Sequence, residues 1–401
     1  MRTTSNPLAL LGGAPTFSEQ LHVGRPNIGN RERLLERING ILDTRWLSNG
    51  GPLVQKFEER LADMAGVKHC IATCNATIAL EITIRALGLT GEVIVPSFTF
   101  VATAHALQWQ QITPVFCDIE PSTHNIDPRK IEELITSRTT GILAVHVWGR
   151  PCEINELQTI ARQHNLKLLF DAAHGLGCRY HERKIGGFGD AEILSFHATK
   201  IVNAGEGGAV VTNDDDLAAR IRLMKNFGFS DYDKVIHIGT NGKMSEISAA
   251  MGLTNLESLP EFVRINRLNF AAYKENLSGI PGVSLLGYDE ASHPNYHYVV
   301  VEIDSERAGL TRDQLLTVLH AENALVRRYF YPGVHRMEPY RSHFPEAGLR
   351  LPQTEAVAGR VLVLPTGTAI TPADIEKICF ILRNALEHSR EISETLARAR
   401  Q

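Results

Sequence analysis

Short apolar runs rich in Val, Ile and Leu punctuate the first half of the chain at residues 70–73, 92–95, 113–118, 142–147, 167–171, 193–196 and 209–212. Most of them do not alternate strictly with polar positions, which is the pattern of strands covered on both faces. Between several of them lie stretches of helical spacing, 77–87, 128–135 and 153–164. The order strand, helix, strand predicts a mainly parallel sheet of seven strands with helices on both sides. Two helical segments, 31–42 and 53–65, precede the first strand and are separated by the turn Ser48-Asn49-Gly50-Gly51-Pro52. From 245 to 272 the spacing is helical again, with Glu246 near its start and Pro260 as a break. Beyond it the rhythm changes to a strand at 297–303, a helix at 312–321, a strand at 325–330 and a terminal helix at 373–388.

A chain of 401 residues exceeds what one core usually organises. The expectation is a large α/β domain, residues 1–260, packed against a smaller α+β domain, residues 261–401. No repeat or polar linker separates them. With 43% apolar and 21% charged residues the composition is that of a globular protein. The 41 Lys and Arg against 45 Asp and Glu leave a net charge of -4, with no field to steer the molecule to nucleic acid or an anionic membrane. The six cysteines are scattered, without Cys-x-x-Cys or zinc-site spacing, and read as reduced thiols with no metal. Residues 1–17 carry Asn6, Pro7, Gly12, Gly13 and Pro15 in place of a continuous apolar signal segment, and the longest apolar runs, such as 141–148, are too short to cross a bilayer. A cytoplasmic protein is expected.

The chemistry concentrates at strand ends. Asp171 closes one predicted strand in Phe170-Asp171-Ala172-Ala173-His174, and Lys200 follows the next in Ser195-Phe196-His197-Ala198-Thr199-Lys200. Ligands of open α/β sheets bind at that edge, so both should face one crevice. A lysine there can form an imine with the aldehyde of pyridoxal phosphate, and a carboxylate can keep the pyridine ring protonated. Taken singly, Asp171 would read as a turn cap and Lys200 as a solvated surface residue; their joint position favours the cofactor. Ser195 could donate its hydroxyl to a phosphate. Asn75-Ala76-Thr77 opens a helix just after a strand, where amides and the helix dipole favour an anion, although that segment alone reads equally as an ordinary cap. Phe100, after another strand end, offers either a flat face for an aromatic cofactor or a core side chain.

These residues resemble the nucleotide-sugar aminotransferases of the DegT/DnrJ/StrS type, within the aspartate-aminotransferase superfamily of pyridoxal phosphate enzymes (fold type I). The resemblance runs through nearly the whole chain. It is carried by Trp46-Leu47-Ser48 with Gly50-Gly51-Pro52, Val95-Pro96-Ser97-Phe98-Thr99-Phe100, Val145-His146-Val147-Trp148-Gly149, the Asp171 and Lys200 segments, and Gly205-Glu206-Gly207-Gly208-Ala209-Val210-Val211-Thr212. It implies that Lys200 is the Schiff-base lysine, Asp171 the partner of the pyridine nitrogen and Phe100 the ring stacked on the cofactor. Ser195 and the amides of Ala76 and Thr77 match phosphate-binding positions, and His174 matches a Gln or His beside the cofactor ring. The family usually has Gly where Ala76 stands, which allows a slightly different loop. The loop Gly239 to Glu246 resembles one whose Asn reaches the phosphate in the neighbouring subunit, which would make Asn241 part of a shared site in a homodimer; the residues alone read as an Asn-Gly turn.

Arg327-Arg328-Tyr329-Phe330-Tyr331-Pro332 and His335 resemble members that aminate a dTDP-4-keto-6-deoxyhexose at the fourth carbon. Arg328, Tyr331 and His335 are then candidates for binding the substrate, or equally for packing the small domain. The resemblance implies transfer of an amino group from L-glutamate to the keto sugar, by ping-pong kinetics, with Lys200 moving the proton. A 3-keto or UDP-linked acceptor, and a non-catalytic cofactor-binding regulator, are the alternatives. Dehydration is disfavoured because the members that perform it carry His where Lys200 stands. A dinucleotide-binding oxidoreductase is remote, since neither Gly205-Glu206-Gly207-Gly208 nor Gly186-Gly187-Phe188-Gly189 forms Gly-x-Gly-x-x-Gly between strand and helix.

Overall fold

A computed structural model describes residues 7–399. The first six residues, where the amino-terminal segment read above begins, and the last two lie outside the described residues.

All seven apolar runs form strands of one sheet, in the spatial order His69–Thr73, Gly208–Thr212, Ala191–Ser195, Lys167–Asp171, Thr139–Val145, Glu92–Pro96 and Thr113–Cys117. Gly208–Thr212 runs antiparallel to both its neighbours, and the other pairings are parallel. Side chains of a strand alternate between faces, and here both faces are covered. Leu168 and Phe170 enter one apolar cluster while Leu169 enters the other, and Ile142 and Ala144 divide from Leu143 in the same way. That is why the runs read as continuous rather than alternating.

Helices Arg31–Thr44 and Pro52–Ala65 precede the sheet, and the second buries Phe57 and Leu61 completely. Its amino end is held from a distance. The Glu246 carboxylate accepts the amides of Leu53 and Val54, both at 2.9 Å, satisfying first-turn donors that have no intrahelical partner. A Cβ on Gly51 would lie 2.6 Å from the Glu246 carboxyl carbon, so a side chain there would displace this carboxylate. The helical stretch around Pro260 is two helices, Glu246–Glu257 and Leu259–Leu277, with Pro260 in the first turn of the second, where its missing N–H is no loss.

Two expectations are corrected. Residues 128–135 form two single 3-10 turns, Pro128–Lys130 and Glu132–Leu134, rather than an α-helix; eight residues with two Ile and a following Thr136 give few propagating bonds to offset helix nucleation. Residues 325–330 do not form one strand. Only Ala324–Leu325 does, pairing in parallel with Leu21–His22, and Arg327 makes a single bridge to Val363. The chain then turns through Tyr331 N–H to Arg328 O and Gly333 N–H to Phe330 O, 2.7 Å each, and the apolar residues of the run pack from those turns.

The carboxy-terminal region builds a three-stranded antiparallel sheet, Val283–Leu285, Val299–Ile303 and Val361–Leu364, against helices Arg312–Ala321 and Pro372–Glu387. Its apolar cluster also takes Leu8, Phe17 and Leu21 from the amino-terminal end, and the buried Glu322 carboxylate accepts the amides of Ala9 at 2.6 Å and Thr16 at 2.7 Å. Among the described residues no helix is long and apolar enough to cross a membrane.

Candidate active site

The register of the sheet brings the candidate residues to one edge. Val145 is paired with Asp171, Asp171 with Ile193, Ser195 with Gly208 and Gly208 with Thr73, so the carboxyl ends of the parallel strands and the start of the antiparallel one lie side by side. Asp171 is only 7% exposed. Its Oδ2 accepts from the Thr103 hydroxyl at 2.9 Å and its Oδ1 from the Ala173 amide at 3.1 Å. Burial pushes this carboxyl up, against the Ala173 amide, the Thr103 hydroxyl and the charge of Lys200, which pull it down.

Lys200 lies in the turn after Ala191–Ser195, its amide donating to His197 O at 2.8 Å. Its surroundings push the ammonium down to about 8, with the charge of Asp171 acting in the opposite sense. The structure thus places the carboxylate and the amine in one electrostatic environment, and the neutral, nucleophilic amine of Lys200 is more available near physiological pH than that of a free lysine.

Helix Ala76–Ala86 begins against Gly208. Asn75 caps it, accepting the Ile78 amide at 2.9 Å, which leaves the amides of Ala76 and Thr77 without intrahelical acceptors. A Cβ on Gly208 would sit 2.4 Å from Asn75 C and 2.5 Å from Ala76 N; glycine alone lets the strand approach the helix start so closely. Ser195, across from Gly208, carries its hydroxyl at the same edge and accepts the His197 amide at 3.4 Å. An anionic group seated here would meet free amides, a helix N-terminus and a hydroxyl.

His174 is buried, and its Nδ1 accepts the Trp148 amide at 3.2 Å. Burial, together with the charges of Lys200 and His297, holds it well below the usual imidazole range, so it is neutral with its proton on Nε2. Its ring lies parallel to Trp148 and Phe330, at 6.3 Å and 6.1 Å between centroids, and 4.6 Å from Tyr298. Phe100 follows the strand end of Glu92–Pro96 and is 59% exposed in the single chain. Asn241 is exposed too; its loop runs beside the end of His69–Thr73, with Cys74 donating to Gly242 O at 2.8 Å.

The carboxy-terminal candidates are placed differently. Arg328 pairs with Asp313 at 3.0 Å and lies over the Tyr331 ring at 4.4 Å, while Arg312 lies over the same ring at 4.8 Å. His335 is 2% exposed, with Nδ1 2.6 Å from the Ser97 hydroxyl and Nε2 2.8 Å from Glu355, so both ring nitrogens are occupied by the protein itself. From this segment it is Phe330 that stacks on the His174 wall and Tyr329 that approaches Tyr298.

Three groups at the site were not singled out from the sequence. Thr103 holds Asp171 and is bonded to Thr99 at 3.0 Å; a Thr-x-x-x-Thr spacing just after a strand end was the available signal. The Trp148 amide orients His174. His297 sits just before strand Val299–Ile303, its Nε2 2.9 Å from Thr199 O, and burial and the charge of Lys200 push it down to about 4. No periodicity marks it.

Comparison with known proteins follows the same lines. Residues 29–383 match the profile of the DegT/DnrJ/EryC1/StrS aminotransferase family. The chain is 37% identical over 366 residues to dTDP-4-amino-4,6-dideoxy-D-glucose transaminase of Escherichia coli, covering 90% of this chain and 97% of that one. It is 36% identical over 377 residues to GDP-perosamine synthase of Caulobacter vibrioides, covering 92% and 98%. The solved structure of DesI in the presence of its TDP-sugar product superposes with a TM-score of 0.92 at 52% identity, covering 98% of this chain and 99% of that one.

Proposed function

The chain belongs to the DegT/DnrJ/EryC1/StrS aminotransferase family, and from that membership we propose that it moves an amino group from L-glutamate to dTDP-4-keto-6-deoxy-D-glucose, giving dTDP-4-amino-4,6-dideoxy-D-glucose. Pyridoxal phosphate is the cofactor of this family. The residues present fit it: a carboxylate held by two donors for the ring nitrogen, an amine pushed down to about 8, and a glycine-permitted helix start with free amides for the phosphate. The observation that carries the chemistry is the shared environment of Lys200 and Asp171. The acceptor sugar rests on the likeness to the transaminase and to DesI.

When bound, pyridoxal phosphate supplies a ring that takes up the electron pair left when a proton departs from the carbon bearing nitrogen. In this reading the chain's own residues do the rest. Asp171, whose two carboxylate oxygens accept from Thr103 and Ala173, would hold the proton on the ring nitrogen. Lys200 carries the cofactor at rest and, when free, moves the proton to and from the reacting carbon. The Ala76 and Thr77 amides and Ser195 hold the phosphate, while Phe100 and His174 orient the ring. Arg328 and Tyr331 would contact the pyrophosphate or sugar of the substrate; His335 supports the strand-end segment through Ser97. Donor and acceptor use one site in turn, so the kinetics are ping-pong.

The working unit in this reading is a homodimer in which Asn241 completes the partner's phosphate site. The exposed apolar side chains Trp46, Leu47, Phe100, Phe227, Tyr232 and Ile238 are available to such an interface. In this reading a large unit within residues 1–260 carries the cofactor and the unit of residues 261–401, into which Leu8, Phe17 and Leu21 pack, closes the sugar side. The free cysteines agree with a cytoplasmic enzyme.

The test is the visible absorbance of the loaded protein. Glutamate should bleach the cofactor band and dTDP-4-keto-6-deoxy-D-glucose should restore it, with parallel double-reciprocal plots in steady state. Silence toward glutamate would overturn the donor. Restoration by a GDP- or UDP-linked keto sugar alone would overturn the nucleotide, an outcome to which the likeness to GDP-perosamine synthase gives weight.

A further inference from the structure

The His297 ring has one nitrogen accounted for and one not. Nε2 is 2.9 Å from the carbonyl oxygen of Thr199. A carbonyl only accepts, so Nε2 carries the ring proton. The ring is neutral near physiological pH, which leaves Nδ1 as a bare lone pair. That atom is buried and has no hydrogen-bond partner among the described residues. A buried acceptor that the protein leaves unpaired is costly, so this lone pair is available to a donor that enters the site.

The ring lies against the turn that carries Lys200. His297 is tied to the residue immediately before Lys200, and the charge of Lys200 acts on both His297 and His174. The two imidazoles are complementary: His174 offers an N–H from Nε2, and His297 offers a lone pair from Nδ1. The Lys200 ammonium has its counter-charge in Asp171. In a 4-keto-6-deoxy sugar, the carbon on one side of the carbonyl bears the ring oxygen and the methyl branch, neither a donor. The carbon on the other side bears a hydroxyl.

We propose that His297 recognises the acceptor sugar, its Nδ1 accepting a hydrogen bond from the hydroxyl that flanks the carbonyl being aminated, while its Nε2–H fixes the Thr199–Lys200 turn. His297 is then a specificity-determining residue for the aminotransfer, and the inference rests on the sugar reading given above.

Two variants separate the ring's two jobs. In His297→Gln the amide reaches the Nε2 position, so it keeps a donor for Thr199 and loses the Nδ1 acceptor. In His297→Asn the amide oxygen falls near Nδ1, so it keeps the acceptor and loses the Thr199 tie. Each is assayed in the holoenzyme with dTDP-4-keto-6-deoxy-D-glucose and with its 3-deoxy counterpart, and the glutamate half-reaction is followed by the cofactor band. In wild type the 3-deoxy sugar should lose about tenfold in kcat/KM, the scale of one hydrogen bond. His297→Gln should lose about tenfold with the full sugar and nothing more with the deoxy sugar, while its glutamate response stays within about twofold. His297→Asn should regain discrimination between the two sugars and show a slowed glutamate half-reaction. Losses that multiply in His297→Gln, or discrimination that survives in it, would overturn the proposal. If wild type responds to glutamate but not to the dTDP-linked sugar, the substrate reading has failed, and the same cycle on the GDP- or UDP-linked 4-keto-6-deoxy sugar that it does accept still decides the role of His297.

Discussion

Replacing Lys200 by Met should abolish transamination and at the same time stabilise the cofactor-free protein. The ammonium is held near 8 in the fold against 10.5 for a free lysine, because desolvation outweighs the attraction of Asp171. The gap is about 2.5 pH units, which at about 1.36 kcal/mol each amounts to roughly 3 kcal/mol. Below pH 8 both folded and unfolded chains carry the proton, and the cost to the fold is complete. Between about 8 and 10.5 only the unfolded chain holds it, so native stability rises with pH through that window and the cost is gone above it. Met has a similar volume and no charge. The attraction of Asp171 is already counted in that net gap, so the substitution recovers roughly 3 kcal/mol at pH 7. With an unfolding entropy of about 2.1 cal/mol/K per residue, the 401-residue chain should melt roughly 2 to 4 °C higher. The assay is a pair of thermal melts of the cofactor-free proteins at fixed concentration, repeated from neutral pH to above 10. Borohydride reduction of the loaded wild type should leave the pyridoxyl group on Lys200 by peptide mass, and transfer in the variant should fall by at least about 10^2 to 10^4-fold. A variant that melts lower at pH 7, or by a margin independent of pH, would refute the desolvated amine. Retained transfer would refute Lys200 as the proton carrier.

Thr103→Val removes the hydroxyl on Asp171 Oδ2; hydrogen bonds to charged groups contribute about 1.5–3 kcal/mol, so the Asp171 carboxyl should rise further and the acid limb of kcat/KM should move up by about 1 to 2 pH units, and a limb that stays put would remove Thr103 from the circuit. Mixing Lys200→Met with Asn241→Ala after subunit exchange should restore about a quarter of wild-type activity, since half the dimers are hybrids with one wholly intact site when Asn241 serves the partner's cofactor; no rescue would place both residues in the same chain's site. His335→Ala should lower stability by about 2–4 kcal/mol, because it strips partners from Ser97 and Glu355, and should leave the KM for the keto sugar within about twofold. A large rise in KM at unchanged melting temperature would instead make His335 a substrate ligand.

The division between what the sequence discloses and what it conceals follows from how each feature is encoded. A strand buried on both faces must be apolar at consecutive positions, so Leu168, Leu169 and Phe170 announce themselves in one dimension, and the residue that ends such a run, Asp171, is placed at the ligand edge by the same rule. The segment at 325–330 misleads for the converse reason. Val326 and Phe330 are buried and the run looks like a strand, yet burial through turns needs apolar residues just as a ladder does, and periodicity cannot tell which it is. Polar roles fixed by a partner's geometry are harder still. Apart from the resemblance that marks His335, apolar patterning does not distinguish it from His297: both are histidines close to apolar runs of the same region. Among the described residues one ring has two protein partners and the other one. That difference of one unpaired nitrogen separates a residue that holds the structure together from one that awaits a ligand, and it is set by hydrogen-bond partners drawn from far along the chain. Phe100 carries the same lesson. Its residue type fits a core or a cofactor face, and its 59% exposure in the single chain excludes the core.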